Sequence, residues 1–141
     1  MNKLRGFVIT IIFVAFSSFA LAETTAFTAD LRGSFEVPPI DSKAKGRAEL
    51  TYNDSTKILR WTITYWGLTG KTTSAHFHGP AKEGENAGTM ITISPLPSPM
   101  KGAAILTEDQ AKALLSGTMY IDVHSAKYPD GEIRGQITPA S

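Results

Sequence analysis

The sequence predicts an all-β fold, an antiparallel β-sandwich with one short helix near residues 108-116. Apolar and polar residues alternate over many short segments, which is the pattern of strands with one buried face. Glycine, proline and short polar clusters separate these segments. Only one segment carries signals for both the start and the end of a helix. Many short strands with a single helix are typical of an antiparallel sandwich or barrel.

Four strands are predicted before residue 80. Residues 27–31 and 47–52 alternate between apolar and polar side chains, and so do residues 58–66. The polar run 53–57 is rich in turn-forming residues, so the strands on either side of it are expected to form a hairpin. The fourth strand covers residues 73–78. The second strand of the hairpin is expected to bury its large apolar residues: Leu59, Trp61, Ile63 and Tyr65.

Three further strands are predicted after residue 80, at residues 88–93, 117–124 and 131–137. A connector with three prolines, residues 95–99, follows the first of them and is expected to be extended. The sequence Y-P-D-G at residues 128–131 predicts a turn before the last strand, because proline fixes φ and glycine accepts a positive φ.

One segment predicts the helix. Thr107 is the expected N-cap, and Gln110 lies three residues further on, which is the arrangement of a capping box. Ala111 and Leu114 favour a helix, and Gly117 supplies its C-terminal stop. A helix of this length depends on packing against the sheet for its stability.

The first 22 residues have the pattern of a secretory signal peptide. Lys3 and Arg5 precede the apolar run 7–16, and A-L-A at residues 20–22 resembles a cleavage site. We therefore predict a signal peptide over residues 1-22 and a single domain over residues 23-141. The apolar run is shorter than the about 20 residues that span a bilayer, so no membrane span is expected in the mature form. The expected location is periplasmic or secreted.

Composition excludes several classes of function. The 14 lysines and arginines are scattered and balanced by 13 acidic residues, so the basic patch of a nucleic-acid-binding protein is missing. The absence of cysteine excludes thiol catalysis and thiolate metal sites. No nucleophile elbow, phosphate-binding loop or dinucleotide fingerprint is present. Any metal would be held by nitrogen and oxygen, because the available methionines are expected to fill the core and loops.

The three histidines of the chain all lie at predicted strand ends. His76 and His78 point to the same face of a strand, with Phe77 on the opposite face. His124 ends the strand 117–124. If the two strand ends meet, three imidazoles converge, a donor set that suits copper, zinc or nickel, with copper favoured by affinity. The alternative is that these histidines form hydrogen bonds that fix a corner of the sheet.

Two carboxylates are candidates for an extra ligand or for a residue that orients an imidazole. Asp122 shares the face of His124 by strand alternation. Glu132 shares a face with Arg134, so Glu132 either pairs with charged neighbours in the sheet or hydrogen-bonds to the second nitrogen of a metal-bound imidazole.

Four segments together resemble the CHRD domain, the module that occurs in chordin and alone in exported microbial proteins. The resemblance runs in order over residues 27–137. It is carried by F-E-V-P-P (35–39), A-H-F-H-G-P-A (75–81), L-T and L-S-G (106–107 and 115–117), and V-H-S-A-K-Y-P-D-G-E-I-R-G-Q-I (123–137).

The resemblance implies an immunoglobulin-like sandwich and invites a metal-binding interpretation of His76, His78 and His124. The H-x-H pair on a strand also resembles the copper ligands of copper-zinc superoxide dismutases. The chain departs from that family because it lacks the cysteine pair and has too few histidines for a two-metal site. Chordin's cysteine-rich repeats have no counterpart, so growth-factor binding is not carried over.

Three functions therefore stay open. The first is an exported binding protein for one transition metal ion, with copper favoured and zinc as the alternative. The second is a structural module of the cell surface or periplasm that binds another extracytoplasmic protein without metal. The third is a mononuclear copper redox enzyme, which would need an open coordination position.

Overall fold

The computed structural model describes residues 23–141, and the predicted signal peptide lies outside these residues. Within them the chain forms nine strands, one α-helix and one turn of 3₁₀-helix. The strands are β1 (Thr24–Arg32), β2 (Lys45–Asn53), β3 (Ile58–Trp66), β4 (Thr72–His78), β5 (Thr89–Thr92), β6 (Met100–Ile105), β7 (Tyr120–Ser125), β8 (Ile133–Gln136) and β9 (Thr138–Pro139). The 3₁₀ turn is Gly33–Phe35 and the helix, α1, is Glu108–Leu115. The prediction of an all-β fold with one short helix is confirmed.

The strands form one continuous antiparallel sheet in the order β5-β4-β7-β8-β1-β2-β3-β6, and β9 pairs with β1. This sheet curls until its two ends face each other. Trp61 on β3 packs edge-on against Phe77 on β4, with 5.0 Å between ring centroids, although four strands (β7, β8, β1 and β2) lie between β4 and β3 in the sheet order. The core is therefore enclosed as in a sandwich, but by the two halves of a single sheet.

Strands β4 and β3 each lie next to an edge strand, at opposite ends of the sheet order. Because contacting rings on β3 and β4 must bridge this distance, the sheet cannot be flat. The natural twist of antiparallel strands supplies the curvature.

Alternation determines which face of each strand is buried. On β3 the predicted face is confirmed: Leu59 and Ile63 are fully buried, Trp61 is buried and Tyr65 is half-buried. Together with the inward residues of β1, β2 and β7 they form the hydrophobic core. Burial of this apolar surface is the main stabilising contribution to the fold.

Strand β6 is not predicted by the sequence. Its residues, M-K-G-A-A-I, are poor in β-branched and aromatic side chains, so they carry no strand pattern. Contact with β3 explains the strand. Gly102 lies opposite Trp61, and a Cβ atom at Gly102 would be only 2.5 Å from the Trp61 ring. The small residues thus make room for the indole, a tertiary requirement that overrides local propensity.

The helix α1 has the predicted capping box. The Thr107 hydroxyl accepts a hydrogen bond from the Gln110 amide (3.2 Å), and the Gln110 side-chain oxygen accepts one from the Thr107 amide (2.9 Å). Gln110 also donates to the Met90 carbonyl (3.0 Å), which fixes the helix to the end of the sheet near β5. Gly117 follows with φ of +74° and ends the helix as predicted. Within residues 23–141 no helix is long and apolar enough to cross a membrane.

Replacing Thr107 with alanine is expected to lower the free energy of unfolding by about 1 kcal/mol, because a helix N–H loses its acceptor. Urea denaturation of the metal-free protein measures this difference. Thr107→Ser keeps the hydroxyl and should match the wild-type protein. Equal destabilisation by both substitutions would show that the cap contributes nothing.

The sheet order determines where the site forms. Strand β7 lies between β4 and β8, and its register places His76 opposite Asp122 and His78 opposite Tyr120. His124 lies opposite Ser74 on the same face. The other face of β4 carries Phe77, which is fully buried in the core. The histidines therefore share the face of the sheet that turns away from the core.

Candidate metal centre

The structure brings all three histidines of the chain together. One ring nitrogen from each of His76, His78 and His124 lies within 4.8 Å of the others. The ring of His76 lies between the other two, with centroid distances of 5.5 Å to His78 and 5.3 Å to His124. The spacing H-x-H accounts for the first two, because alternate residues of β4 point to one face. The pairing of β4 with β7 adds the third.

Backbone carbonyls determine the tautomers of two of these rings. Nδ1 of His78 lies 2.9 Å from the carbonyl oxygen of Ala87, and Nδ1 of His124 lies 2.7 Å from that of Pro129. A carbonyl only accepts, so each Nδ1 carries the hydrogen and donates it. In the neutral ring the lone pair is then on Nε2.

One nitrogen of each ring is buried and has no hydrogen-bond partner among the described residues. These nitrogens are Nδ1 of His76, Nε2 of His78 and Nε2 of His124. A buried polar atom without a partner costs about 1–3 kcal/mol, so three of them in one cluster require an explanation. Burial lowers the pKa of His76, and the neighbouring His124 and His78 lower it further. The neutral imidazole, the form that binds metal, is therefore favoured at this position.

A stack of side chains on β4, β7 and β8 supports the cluster from one side. The Tyr120 ring is parallel to that of His78, with 5.0 Å between centroids, and the Arg134 guanidinium lies 3.6 Å from the Tyr120 centroid. Arg134 is buried and donates to the side-chain oxygen of Asn86 (3.0 Å) and to the Lys82 carbonyl (3.2 Å). These bonds tie the loop after β4 to β8. That loop contains Ala87, whose carbonyl orients His78.

Asp122 lies beside the histidines as predicted, on the face that it shares with His124. Its Oδ1 atom is 3.7 Å from Nε2 of His124, and its side chain is 9% exposed. Glu36, from the loop after the 3₁₀ turn, has its carboxyl group beside that of Asp122. Sequence reasoning did not predict a role for Glu36. Its place in the F-E-V-P-P segment is the only signal that could have indicated one.

The carboxyl groups of Glu36 and Asp122 are both buried, and burial changes the pKa of each. Burial raises the pKa of Glu36 to about 9, and the negative charge of Asp122 adds to the rise. Burial also raises the pKa of Asp122, while the nearby His124 opposes that rise. Glu36 is therefore the member of the pair that holds a proton at neutral pH.

Glu36→Gln is expected to flatten the pH dependence of stability. Folded Glu36 keeps a proton that the unfolded chain releases above the ordinary pKa of 4.5, so wild-type stability falls as pH rises from 4.5 towards 9. The slope from this one group is at most about 1.4 kcal/mol per pH unit. Glutamine does not titrate and should remove it.

Urea denaturation of the metal-free proteins between pH 5.5 and 8.0 measures both slopes. Glu83→Gln, an exposed residue of the loop after β4, serves as the control and should keep the wild-type slope. Parallel curves for wild-type protein and Glu36→Gln would contradict the protonated state of Glu36.

The structure does not bring Glu132 into the cluster. Its carboxylate accepts hydrogen bonds from the Ser42 hydroxyl (2.7 Å) and from the Thr69 amide (3.0 Å) and hydroxyl (2.9 Å). Burial acts to raise the pKa of Glu132, but these hydrogen bonds together outweigh burial, so the pKa lies below its ordinary value. Strand β8 begins at Ile133, so the alternation that would place Glu132 on the face of Arg134 does not extend to it. The carboxylate joins two loops instead of orienting an imidazole.

Comparison with known proteins gives one match. No curated protein and no solved structure matches the chain. The family model for the CHRD domain matches residues 27–137, which includes every side chain of the cluster and both carbonyls that orient it. The segments with H-x-H and with His124 both lie inside this match. The chain therefore belongs to the CHRD domain family.

Proposed function

We propose that this protein is an exported CHRD-domain protein that binds one transition metal ion, copper in the first place and zinc as the alternative, through His76, His78 and His124. One observation carries the proposal: three histidine rings, each with one buried nitrogen that has no partner, bring one ring nitrogen apiece within 4.8 Å of the others. A single bound ion would satisfy all three at once.

The donor set favours copper among the available ions. Imidazole nitrogen suits copper, zinc and nickel, and affinity for nitrogen donors is highest for Cu(II). The chain has no cysteine, so thiolate does not compete for the ion. The hydrogen bonds from His78 and His124 to backbone carbonyls support the proposal further, because metal-bound histidines almost always donate their second ring nitrogen in this way.

Export is part of the proposal. Its support is the predicted signal peptide, together with the occurrence of the family in exported proteins. The ion would then be acquired outside the cytoplasm.

Calorimetric titration of residues 23–141 with Cu(II) and Zn(II) tests the proposal. One equivalent of the ion is expected to bind. The free energy of unfolding should rise by about 2.7 kcal/mol at a free ion concentration of 100 times the Kd. Mg²⁺ is the control and should produce neither effect, since it prefers oxygen ligands. No saturable binding, or an equal rise with Mg²⁺, would overturn the proposal.

A structural role is the second candidate, favoured by the same two carbonyl contacts. The rings of His78 and His124 connect strand ends to the loops at Ala87 and Pro129. If holding these loops in place is the only role of the histidines, removing them should lower the Tm equally with and without a chelator. A rise in Tm that depends on metal and on the histidines would exclude this second candidate.

A further inference from the structure

The strongest unexplained feature beside the histidines is the carboxylate of Asp122. Its residue is buried, and Oδ1 has no hydrogen-bond donor among the side chains and amides recorded for residues 23–141. The same atom is 3.7 Å from Nε2 of His124, one of the three nitrogens without a partner. An unpartnered oxygen and an unpartnered nitrogen thus lie next to each other.

Gly131 keeps the space beside this oxygen open. A Cβ atom at Gly131 would lie 2.6 Å from Oδ1 of Asp122 and 2.9 Å from both carboxyl oxygens of Glu36. Any larger residue in the turn would therefore displace the carboxyl pair. Gly131 also has a φ of +127°, which few other residues adopt. The turn before β8 and the position of Asp122 depend on the same residue.

We propose that Asp122 is the fourth ligand of the ion, and that the resulting three-nitrogen, one-oxygen set selects a divalent ion over Cu(I). This inference rests on the proposed function. Ligand atoms around a tetrahedral ion with bonds of about 2.0–2.1 Å lie about 3.3 Å apart. The observed 3.7 Å between Asp122 and His124 is close to that separation. The Asp122 carboxylate lies outside the group of ligand atoms within 4.8 Å of one another, so its side chain has to rotate towards the ion when the ion binds.

The negative charge of the Asp122 carboxylate and the hardness of its oxygen atoms both favour a divalent ion over Cu(I). A carboxylate attracts a dication about twice as strongly as a monocation at the same distance. Carboxylate oxygen is also a hard ligand, whereas Cu(I) is selected by soft thiolate and thioether ligands.

An ordinary ion pair between Asp122 and a protonated His124 is the competing explanation of the contact. The two explanations differ in what they predict for the two oxidation states of copper. An ion pair that only holds His124 in place would affect Cu(II) and Cu(I) alike. A ligand that contributes its negative charge would affect Cu(II) and Zn(II) far more than Cu(I).

Asp122→Asn tests the inference, because asparagine has nearly the same shape without the charge. Affinities for Cu(II), Zn(II) and Cu(I) are measured at pH 7 by competition with chelators specific for each ion. We expect a loss of about 10–100-fold for the two divalent ions and little change for Cu(I). Asp130→Asn removes the same charge from an exposed position in the nearby turn and should change none of the three.

The outcomes separate this inference from the proposed function. If wild-type protein binds no ion, the proposed function fails. If wild-type protein binds and Asp122→Asn binds equally well, or loses both copper states equally, only the fourth-ligand assignment fails. If Asp122→Asn does not fold, a measurement on the wild-type protein tests the assignment instead. The ¹³C resonance of the Asp122 carboxyl group should shift on addition of Zn(II), and an unchanged resonance would overturn the assignment.

Discussion

Replacing His76 and His78 together with alanine is expected to lower the affinity for Cu(II) by about 10³-fold or more. Substituting a residue that only orients a ligand already costs 10–100-fold, and this double variant removes two ligands. The remaining His124 and Asp122 cannot hold an ion tightly. Chelator competition measures the affinity, and circular dichroism checks that the variant is folded.

The fold is expected to survive this double substitution. Both side chains lie on the face of β4 that turns away from the core, and the main loss is the hydrogen bond from His78 to Ala87, worth about 1 kcal/mol. Ser74→Ala, on the same face of the same strand, is the matched control and should bind like the wild-type protein. Cu(II) binding of wild-type strength in the double variant would contradict the three-histidine site.

Replacing Arg134 with methionine is expected to lower the free energy of unfolding by about 3–5 kcal/mol, because it removes two hydrogen bonds of a charged group, each worth about 1.5–3 kcal/mol. Arg134 is 2% exposed, packs on Tyr120 and anchors the loop after β4 through Asn86 and Lys82. Methionine keeps the apolar contact but makes none of the hydrogen bonds. The carboxyl groups of Glu36 and Asp122 would also lose a positive charge that lowers the pKa of both.

Urea denaturation measures the effect of Arg134→Met. Arg47→Met is the control, because Arg47 is exposed and its ion pairs with Asp30 and Glu49 are each worth no more than about 1 kcal/mol. Equal, small losses in both variants would contradict the account of Arg134. Metal affinity is expected to fall with Arg134→Met as well, since the loop that orients His78 loses its anchor.

The alternation of residues along each strand was sufficient to predict part of the site. Alternation along β4 places His76 and His78 on one face, and alternation along β7 places Asp122 with His124. These predictions need only the two-residue period of a strand. That His124 reaches the other two depends on β4 pairing with β7, which no spacing in the sequence determines.

The rest of the site depends on loops whose conformation is not encoded locally. The carbonyls that orient His78 and His124 belong to Ala87 and Pro129, and a carbonyl has no sequence signature. Glu36 is carried to Asp122 by the irregular segment after the 3₁₀ turn. Strand β6 was missed for a related reason, because the ring of Trp61 rather than any local pattern selects its small residues.

A crystal structure of the copper-loaded protein, with anomalous scattering recorded at the copper edge, tests the central claim most directly. The account predicts one copper ion about 2.0–2.1 Å from Nδ1 of His76 and from Nε2 of both His78 and His124. Copper bound elsewhere on the protein, or held by only one of the three rings, would contradict it.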